Sequence, residues 1–245
     1  MNCDVLLFAA GEGKRLRPLT ENTPKPLLTV GNKALIQWNL ELIERGGFSR
    51  VIVNAHYLAA QLEAFLKKLK TSLDIIIIRE ANLLNTGGTI KNVEPILKEK
   101  YLLTINSDTL YSPQFNLRDV LAAHINDKRN PLATMVLGGS EDVRYFGAIG
   151  VSEDGRVVQF RGEQLIKEKT SKSFIYSGIS VMDIKTLAYM PSRGSSFCLC
   201  NDTYKELLRE QRVISSYIYR GYWSNVGTVD ALAGANDDFN AGLII

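Results

Sequence analysis

The chain has 245 residues, of which 45% are hydrophobic and 22% are charged, the composition of a globular protein long enough to bury a sizeable core. Its formal net charge of +3 is too small to indicate affinity for nucleic acid or a membrane surface, and no basic stripe interleaved with aromatic residues is present. No apolar run reaches the roughly 18 residues of a membrane span, and Asp4 interrupts the apolar start that a signal peptide would need. Because the three cysteines form no disulfide framework, we expect reduced thiols in a cytoplasmic protein.

The first half of the chain alternates short apolar runs with stretches of helical spacing. Four runs predict buried strands: Val5 to Phe8, Val51 to Val53, Ile75 to Ile78 and Tyr101 to Ile105. Apolar residues at helical spacing predict helices over 34–45, about 58–70 and about 85–97. Since strands that alternate with helices form parallel sheets with right-handed crossovers, we predict an α/β fold with a Rossmann-like, mostly parallel sheet and helices on both faces.

The second half of the chain has a different pattern. Strand-like segments dominate it, at 131–137, 148–151, 157–160 and 174–182, and a Glu-Asp-Gly turn at 153–155 predicts a hairpin between two of them. Helical patterns return at about 183–190 and 203–210. No linker rich in Pro, Gly or Ser separates the halves, so we predict a single domain over 1–245 with an antiparallel extension on its substrate side.

A glycine-containing basic loop follows the first predicted strand. Gly11 and Gly13 let the backbone turn sharply and bring bare N–H groups close to an anion. Four cations crowd the same loop: Lys14, Arg15, Arg17 and Lys25. Their mutual repulsion favours a bound polyphosphate. The alternative is a solvated basic loop, which Pro18, Pro24 and Pro26 disfavour because they fix the backbone around Lys25.

Two common phosphate-binding patterns do not fit this loop. The Walker pattern is absent, and Leu16 stands where a dinucleotide-binding loop needs its third glycine. Between Ala10 and Leu27 the chain reads Ala-Gly-x-Gly-x-Arg-Leu-x-Pro-Leu-Thr and then Pro-Lys-Pro-Leu. This long pattern resembles the signature of the sugar nucleotidyltransferases, also called nucleoside-diphosphate-sugar pyrophosphorylases.

The resemblance implies a fold, a reaction and a cofactor. In the nucleotide-diphospho-sugar transferase fold, about 1–130 would bind a nucleoside triphosphate and about 131–245 a sugar 1-phosphate. The sugar phosphate would attack the α-phosphorus and release pyrophosphate in the presence of Mg²⁺. Arg15, Lys25 and Asp108 would be catalytic, with Arg15 at the β- and γ-phosphates and Lys25 at the α-phosphate. The implied nucleotide-binding residues are Ala10, Gly11, Glu12, Gly13, Lys14, Arg15, Lys25, Thr86, Gly87 and Gly88.

Two residues are implied as metal ligands. Asp108 follows the fourth predicted strand, where the family holds its metal, and a carboxylate facing phosphates suits Mg²⁺; on its own, such an aspartate is more often a turn or helix cap. The family's Trp-x-Asp-x-Gly-Thr motif appears from Trp223 with Asn225 in place of the aspartate. A neutral amide oxygen compensates less charge, so we expect weaker metal affinity or a lower rate.

Three further segments match substrate-binding parts of the family. Asn-Thr-Gly-Gly at 85–88 would contact the base, with Gly87 the leading residue, although Thr-Gly-Gly alone is more often a turn. Gly147 in Tyr145-Phe146-Gly147, together with Ser177 and Gly178, would approach the sugar; the alternative is a bulge or bend in the sheet. Arg161 stands near the place where many relatives have a phosphate-binding lysine, and it would supply that contact.

The short chain and its Asn-Thr-Gly-Gly and Tyr-Ser-Gly-Ile-Ser segments are most similar to N-acetylmuramate-1-phosphate uridylyltransferases. Mannose- and heptose-1-phosphate guanylyltransferases are alternatives, as is a regulatory nucleotide-binding homologue weakened by Asn225. A dinucleotide-dependent oxidoreductase is disfavoured by Leu16. The expected partners are the two small substrates, with no nucleic acid or membrane, in a monomer or homodimer.

Overall fold

The computed structural model describes residues 3–139 and 147–244. The protein is built around a mixed sheet. In chain order the strands are β1 (Cys3–Phe8), β2 (Thr29–Val30), β3 (Lys33–Ala34), β4 (Arg50–Ala55), β5 (Asp74–Arg79), β6 (Tyr101–Asn106), β7 (Thr109–Tyr111), β8 (Ala133–Gly138), β9 (Ile149–Val151), β10 (Val157–Phe160), β11 (Glu163–Gln164), β12 (Lys172–Asp183), β13 (Ile214–Ile218) and β14 (Trp223–Asn225). The α-helices are α1 (Leu35–Arg45), α2 (Ala59–Lys68), α3 (Asn85–Val93), α4 (Leu117–Asn126), α5 (Lys205–Arg209) and α6 (Val229–Asn240). Among the described residues, none of these helices combines the length and apolarity needed to cross a bilayer.

The parallel part of the sheet has the strand order β6-β1-β4-β5. Leu7 of β1 lies opposite Val53 on one side and Ile105 on the other. The long strand β12 then pairs antiparallel with β6 and carries the sheet into the second half through β8, β9 and β10. This arrangement confirms the predicted fold, including the hairpin between β9 and β10. The assignment of 1–245 to a single domain stays a prediction.

Helices cover both faces of the parallel strands. Leu7 packs in a core with Leu40 of α1 and Leu62 of α2. Its neighbour Leu6 points to the opposite face and packs in a second core with Ile90 of α3. Because alternate side chains of a strand face opposite ways, a strand buried on both faces reads as a continuous apolar run.

A third, smaller core lies beneath the basic loop. Leu16 from the loop packs there with Val226 and with Ala235 of α6. The same helix supports the β2–β3 turn, where Asn236 Oδ1 accepts a hydrogen bond of 2.9 Å from Gly31 N. The C-terminal helix therefore fixes the position of the N-terminal loop.

Several elements differ from the sequence-based predictions. Helices α4 and α6 and the short strands β2, β3, β7, β11, β13 and β14 were not predicted. The predicted helix at 203–210 begins as a π-helical turn over Leu199–Tyr204 and continues as α5, and the predicted helix at 183–190 is a 3₁₀ helix over Ile184–Tyr189. Asp202 contributes to the π-helical turn, because its carboxylate accepts a 2.6 Å hydrogen bond from Cys198 N at the start of that turn.

Candidate functional site

A cavity of about 460 Å³ opens at the carboxyl ends of the parallel strands, which is where open α/β sheets bind their ligands. The basic loop forms one wall of it, with Ala10, Gly11, Glu12, Gly13, Lys14, Arg15 and Lys25. Asp108, from the turn after β6, also lines the cavity, as does Thr86 at the start of α3. The structure thus brings together most of the residues implied for nucleotide binding.

Lys25 and Asp108 form an ion pair in this cavity. Lys25 Nζ lies 2.5 Å from Asp108 Oδ2, and only 12% and 21% of the two side chains are exposed. Lys25 is held in a 3₁₀ turn over Lys25–Leu27, with Pro24 before the turn and Pro26 within it. The rigid turn directs the ammonium into the cavity, where its remaining donors are free to meet an anion.

Glycine has two different roles in the basic loop. Gly13 has a φ of +63°, and a Cβ there would lie 2.9 Å from Thr20 Cγ2 and 3.1 Å from Lys25 Cβ, so only glycine fits without strain. A Cβ at Gly11 would have no heavy atom within 4 Å. The prediction of a sharp turn therefore applies to Gly13, whereas Gly11 leaves open space on the cavity side. Lys14 is exposed and pairs with Glu12 at 2.6 Å.

A second cavity of about 240 Å³ adjoins the first. The two share three lining residues, Arg15, Asn106 and Asp108. All four residues implied for the sugar phosphate line the second cavity: Gly147, Arg161, Ser177 and Gly178. Tyr145 and Phe146, the other members of the predicted sugar segment, lie outside the described residues. The predicted nucleotide site lies in the first cavity (the nucleotide-side cavity) and the predicted sugar site in the second (the sugar-side cavity). The two sites are therefore neighbours that meet at a shared wall.

Glycines shape the sugar-side cavity by close approach. Gly178 has a φ of +89°, and a Cβ there would lie 2.6 Å from Asn106 Nδ2, so this glycine lets β12 pack against the end of β6. A Cβ at Gly147 would lie 2.9 Å from Arg161 Cγ. Arg161 itself has a φ of +50°, an uncommon backbone conformation for a residue other than glycine.

The short pairing of β7 with β14 brings Asn225 to Asp108. Asn225 lies opposite Thr109 in this ladder, and the next residue, Val226, donates a 2.8 Å hydrogen bond from its N–H to Asp108 O. A Cβ at Gly227 would lie 2.9 Å from both Arg15 Nη2 and Asn225 Oδ1. Arg15, Asp108 and Asn225 thus converge from three distant parts of the chain.

The Asn-Thr-Gly-Gly segment is placed differently from its prediction. Thr86 lines the nucleotide-side cavity together with Asn85 and Thr89, but Gly87 and Gly88 are not among the lining residues. Both glycines are buried: a Cβ at Gly87 would collide with the Phe197 ring, and one at Gly88 with the carbonyl oxygen of Ser195. Both N–H groups donate to Phe197 O, at 3.0 and 3.2 Å. The paired glycines are explained by this packing, rather than by close approach of a base.

Sequence analysis missed a buried polar network beneath the nucleotide-side cavity. Asn54 Oδ1 accepts a 2.8 Å hydrogen bond from Ala9 N, and its Nδ2 donates to Glu80 Oε1 at 2.9 Å. Glu80 also accepts from Thr89 Oγ1 at 2.6 Å and from Leu84 N at 3.2 Å. The network connects the start of the basic loop to the start of α3. The polar residues Asn54 and Glu80, at the ends of β4 and β5, were the sequence signal that could have indicated this network.

Two cysteines lie beside the sugar-side cavity. Cys200 lines it, and a hydrogen bond from the Cys200 thiol lowers the pKa of Cys198 to about 5. The same interaction, together with burial, raises the pKa of Cys200 well above its ordinary value. The hydrogen bond from Cys200 therefore favours the thiolate form of Cys198.

Comparisons with known proteins identify the family of this chain. The profile of the nucleotidyl transferase family matches residues 4–242. An N-acetylmuramate alpha-1-phosphate uridylyltransferase from Neisseria meningitidis serogroup B is 30% identical, over 94% of this chain and 98% of its own length. A mannose-1-phosphate guanylyltransferase from Mycobacterium tuberculosis is 28% identical, over 98% of this chain and 65% of its own. The crystal structure of HddC from Yersinia pseudotuberculosis complexed with GMP-PN has the same fold, with a TM-score of 0.78 at 21% identity over 96% of this chain and 99% of that chain. The chain therefore belongs to the nucleotidyl transferase family and, within it, to the sugar-1-phosphate nucleotidyltransferases.

Proposed function

We propose that this protein transfers a uridylyl group from UTP to N-acetylmuramate 1-phosphate, with release of pyrophosphate and in the presence of Mg²⁺. One observation carries the proposal: two adjoining cavities meet at Arg15, Asn106 and Asp108, with the Lys25 ammonium beside the junction. A reaction that joins two phosphorylated substrates needs such paired pockets with a cation between them.

Each charged group has its own role in the proposed reaction. Free N–H groups of the loop at 11–14 and the guanidinium of Arg15 would bind the β- and γ-phosphates. A sugar-phosphate oxygen attacks the α-phosphorus, the bond between the α-phosphorus and the β-phosphate oxygen breaks, and pyrophosphate leaves. Lys25 would neutralise the negative charge that builds on the α-phosphate. Arg161 and the backbone near Gly178 would hold the sugar phosphate. Because both reactants are anions, alignment and charge neutralisation supply most of the catalysis.

The residues present fit Mg²⁺. Asp108, in the turn before β7, offers a carboxylate, and Asn225, which pairs with Thr109 at the start of that strand, offers an amide oxygen. Mg²⁺ takes one or two protein oxygens and completes its shell with phosphate and water. No cluster of three or more His, Cys, Asp or Glu side chains suited to a metal occurs in the described part of the chain, and this ion does not require one. When bound, Mg²⁺ would neutralise phosphate charge; Asp108 and Asn225 are the residues that would hold it.

The choice of base and sugar rests on the N-acetylmuramate alpha-1-phosphate uridylyltransferase relative and its nearly full-length match. A guanylyltransferase acting on mannose or heptose 1-phosphate is the second candidate, favoured by the mannose-1-phosphate guanylyltransferase relative. A weakened regulatory homologue is the third, favoured by Asn225. Cytoplasmic location and a monomeric or dimeric state stay predictions.

Pyrophosphate release tests the proposal. The protein is incubated with Mg²⁺ and each pairing of UTP, GTP, ATP or dTTP with N-acetylmuramate, mannose, heptose, glucose or N-acetylglucosamine 1-phosphate. Fastest release with UTP and N-acetylmuramate 1-phosphate is expected. Faster release with GTP and mannose or heptose phosphate would favour the second candidate. Triphosphate binding without release in any pairing would leave only the regulatory one.

A further inference from the structure

A third cavity, of about 450 Å³, has no role in the proposed reaction. Aromatic and basic side chains dominate its wall: Lys172, Phe174, Tyr219, Arg220, Tyr222 and Trp223. Trp223 also lines the sugar-side cavity. Trp223 is thus part of the walls of both cavities.

Strand β12 places the third cavity next to the sugar-side one. Phe174 and Tyr176 are two residues apart on this strand and point to the same face. Tyr176 lines the sugar-side cavity and Phe174 lines the third. Ile149 of β9, also in the sugar-side cavity, is paired directly with Phe174. A substituent that extends past Tyr176 and Trp223 would therefore enter the third cavity.

The chemistry of the third cavity favours an organic anion. Lys172 and Arg220 are exposed, and neither forms an ion pair with another residue in the described part of the chain. The described lining contains no carboxylate to compete for these cations. Aromatic faces pack against C–H groups of a sugar or its substituent, while a guanidinium binds a carboxylate with two parallel hydrogen bonds.

We propose that the third cavity is a subsite for a carboxylate-bearing substituent of the sugar 1-phosphate, bound by Arg220 and Lys172 against the Trp223 ring. The inference rests on the proposed function and adds a basis for substrate selection. The phosphate and pyranose occupy the sugar-side cavity, and the lactyl ether of N-acetylmuramate supplies a carboxylate for the third. Arg220 and Lys172 are then specificity-determining residues that do not touch the reacting phosphates.

The test compares substrates that differ only at this substituent. Turnover of N-acetylmuramate 1-phosphate, its lactyl methyl ester and N-acetylglucosamine 1-phosphate is measured for the wild type, Arg220→Gln, Lys172→Gln and the control Lys67→Gln on α2. Arg220→Gln is expected to lower kcat/KM for the acid by about tenfold, mainly through KM, as loss of a charge-assisted contact does. Turnover of the ester and the unsubstituted sugar should change less than about twofold. Lys172→Gln should act in the same direction with a smaller effect, because an ammonium lacks the paired geometry.

The two substrates without a free carboxylate also report whether each variant is folded. Equal loss on all three substrates, or no loss on the acid, would overturn the subsite while leaving the proposed reaction intact. A hexose 1,6-bisphosphate forms a further arm: if Arg220→Gln impaired it and spared the N-acetylmuramate substrate, the assignment to a carboxylate would be wrong. No pyrophosphate release from the wild type with any sugar phosphate would instead overturn the proposed function, and the subsite with it.

Discussion

The ammonium of Lys25 lies 2.5 Å from a carboxylate oxygen of Asp108, although 83 positions separate the two residues in the chain. The pair stands where the nucleotide-side and sugar-side cavities meet, because Asp108 lines both. A cation and an anion in mutual contact can each turn to a new partner when substrate and metal enter. The ion pair therefore keeps two oppositely charged groups in position before either ligand is bound.

Replacing Lys25 tests its role at the α-phosphate. We expect Lys25→Ala to lower kcat at least about tenfold, or about 1.4 kcal/mol of barrier, because charge that builds on the α-phosphate loses its counterion. Steady-state pyrophosphate release measures the effect, with Lys67→Ala, an exposed lysine of α2, as the matched control. A kcat equal to that of the wild type would remove Lys25 from the mechanism.

Restoring the family's carboxylate at position 225 tests the metal assignment. Asn225→Asp should lower the Mg²⁺ concentration for half-maximal rate by up to about tenfold, equivalent to about 1.4 kcal/mol, since a second negative charge would face the ion. Mg²⁺ titration of the rate provides the measurement, and Asn126→Asp on the exposed end of α4 is the control. If the Mg²⁺ requirement were unaltered, residue 225 would not be a ligand.

The close packing at Gly87 predicts that substitution by alanine will change the free energy of unfolding in opposite directions at two glycines. Gly87→Ala should lower the free energy of unfolding by about 1–3 kcal/mol, because the new Cβ would collide with the buried Phe197 ring. Gly234→Ala on α6, where a Cβ meets no atom within 4 Å, should raise it by about 0.5–1 kcal/mol. Denaturant unfolding of the two variants checks both signs, and partial recovery in Gly87→Ala/Phe197→Leu would identify the clash as the cause.

Cysteine reactivity provides a pH-dependent prediction. Because the hydrogen bond from Cys200 lowers the pKa of Cys198 to about 5, iodoacetamide should label Cys198 at a rate that is nearly constant from pH 6 upwards. Burial raises the pKa of Cys3 to about 12, so this thiol should stay unlabelled in the folded protein. Peptide mass spectrometry identifies the site, and Cys198→Ser removes it. Labelling that begins only above pH 8 would contradict the low pKa.

His124 predicts a loss of stability in acid. Burial lowers the pKa of this imidazole to about 4, and its Nδ1 lies 2.9 Å from Thr134 Oγ1. Between about pH 6.5 and 4 the unfolded chain binds a proton at this ring that the folded chain does not, so the free energy of unfolding falls as the pH drops. The loss should approach about 3 kcal/mol near pH 4 and be absent above pH 7. Urea unfolding at several pH values, compared with His124→Gln, isolates this contribution from that of the other titratable groups; matching pH profiles would refute it.

The sequence predicted the parallel strands and most of the loop site because the information is local. An apolar run such as Val5 to Phe8 indicates a buried strand without reference to the rest of the chain. The motif around Lys25 is long enough that few other interpretations fit it. The contact of Thr86 with the Leu199 backbone joins residues 113 positions apart, and no local pattern indicates it. Strands β7 and β14 have three residues each, too few for a period of two to be recognised. The missed helices did have a signal, since Asn116 and Thr228 cap α4 and α6 through side-chain hydrogen bonds.

The helix beneath the basic loop has a consequence for how the protein is made. Leu16 leaves the ribosome early, but Val226 and Ala235, which bury it, are synthesised long after it. A nascent chain can therefore assemble its parallel strands while the phosphate-facing loop still lacks its floor. The packing under the loop is complete only after residue 235 has emerged, so a shorter nascent chain would leave Leu16 unburied.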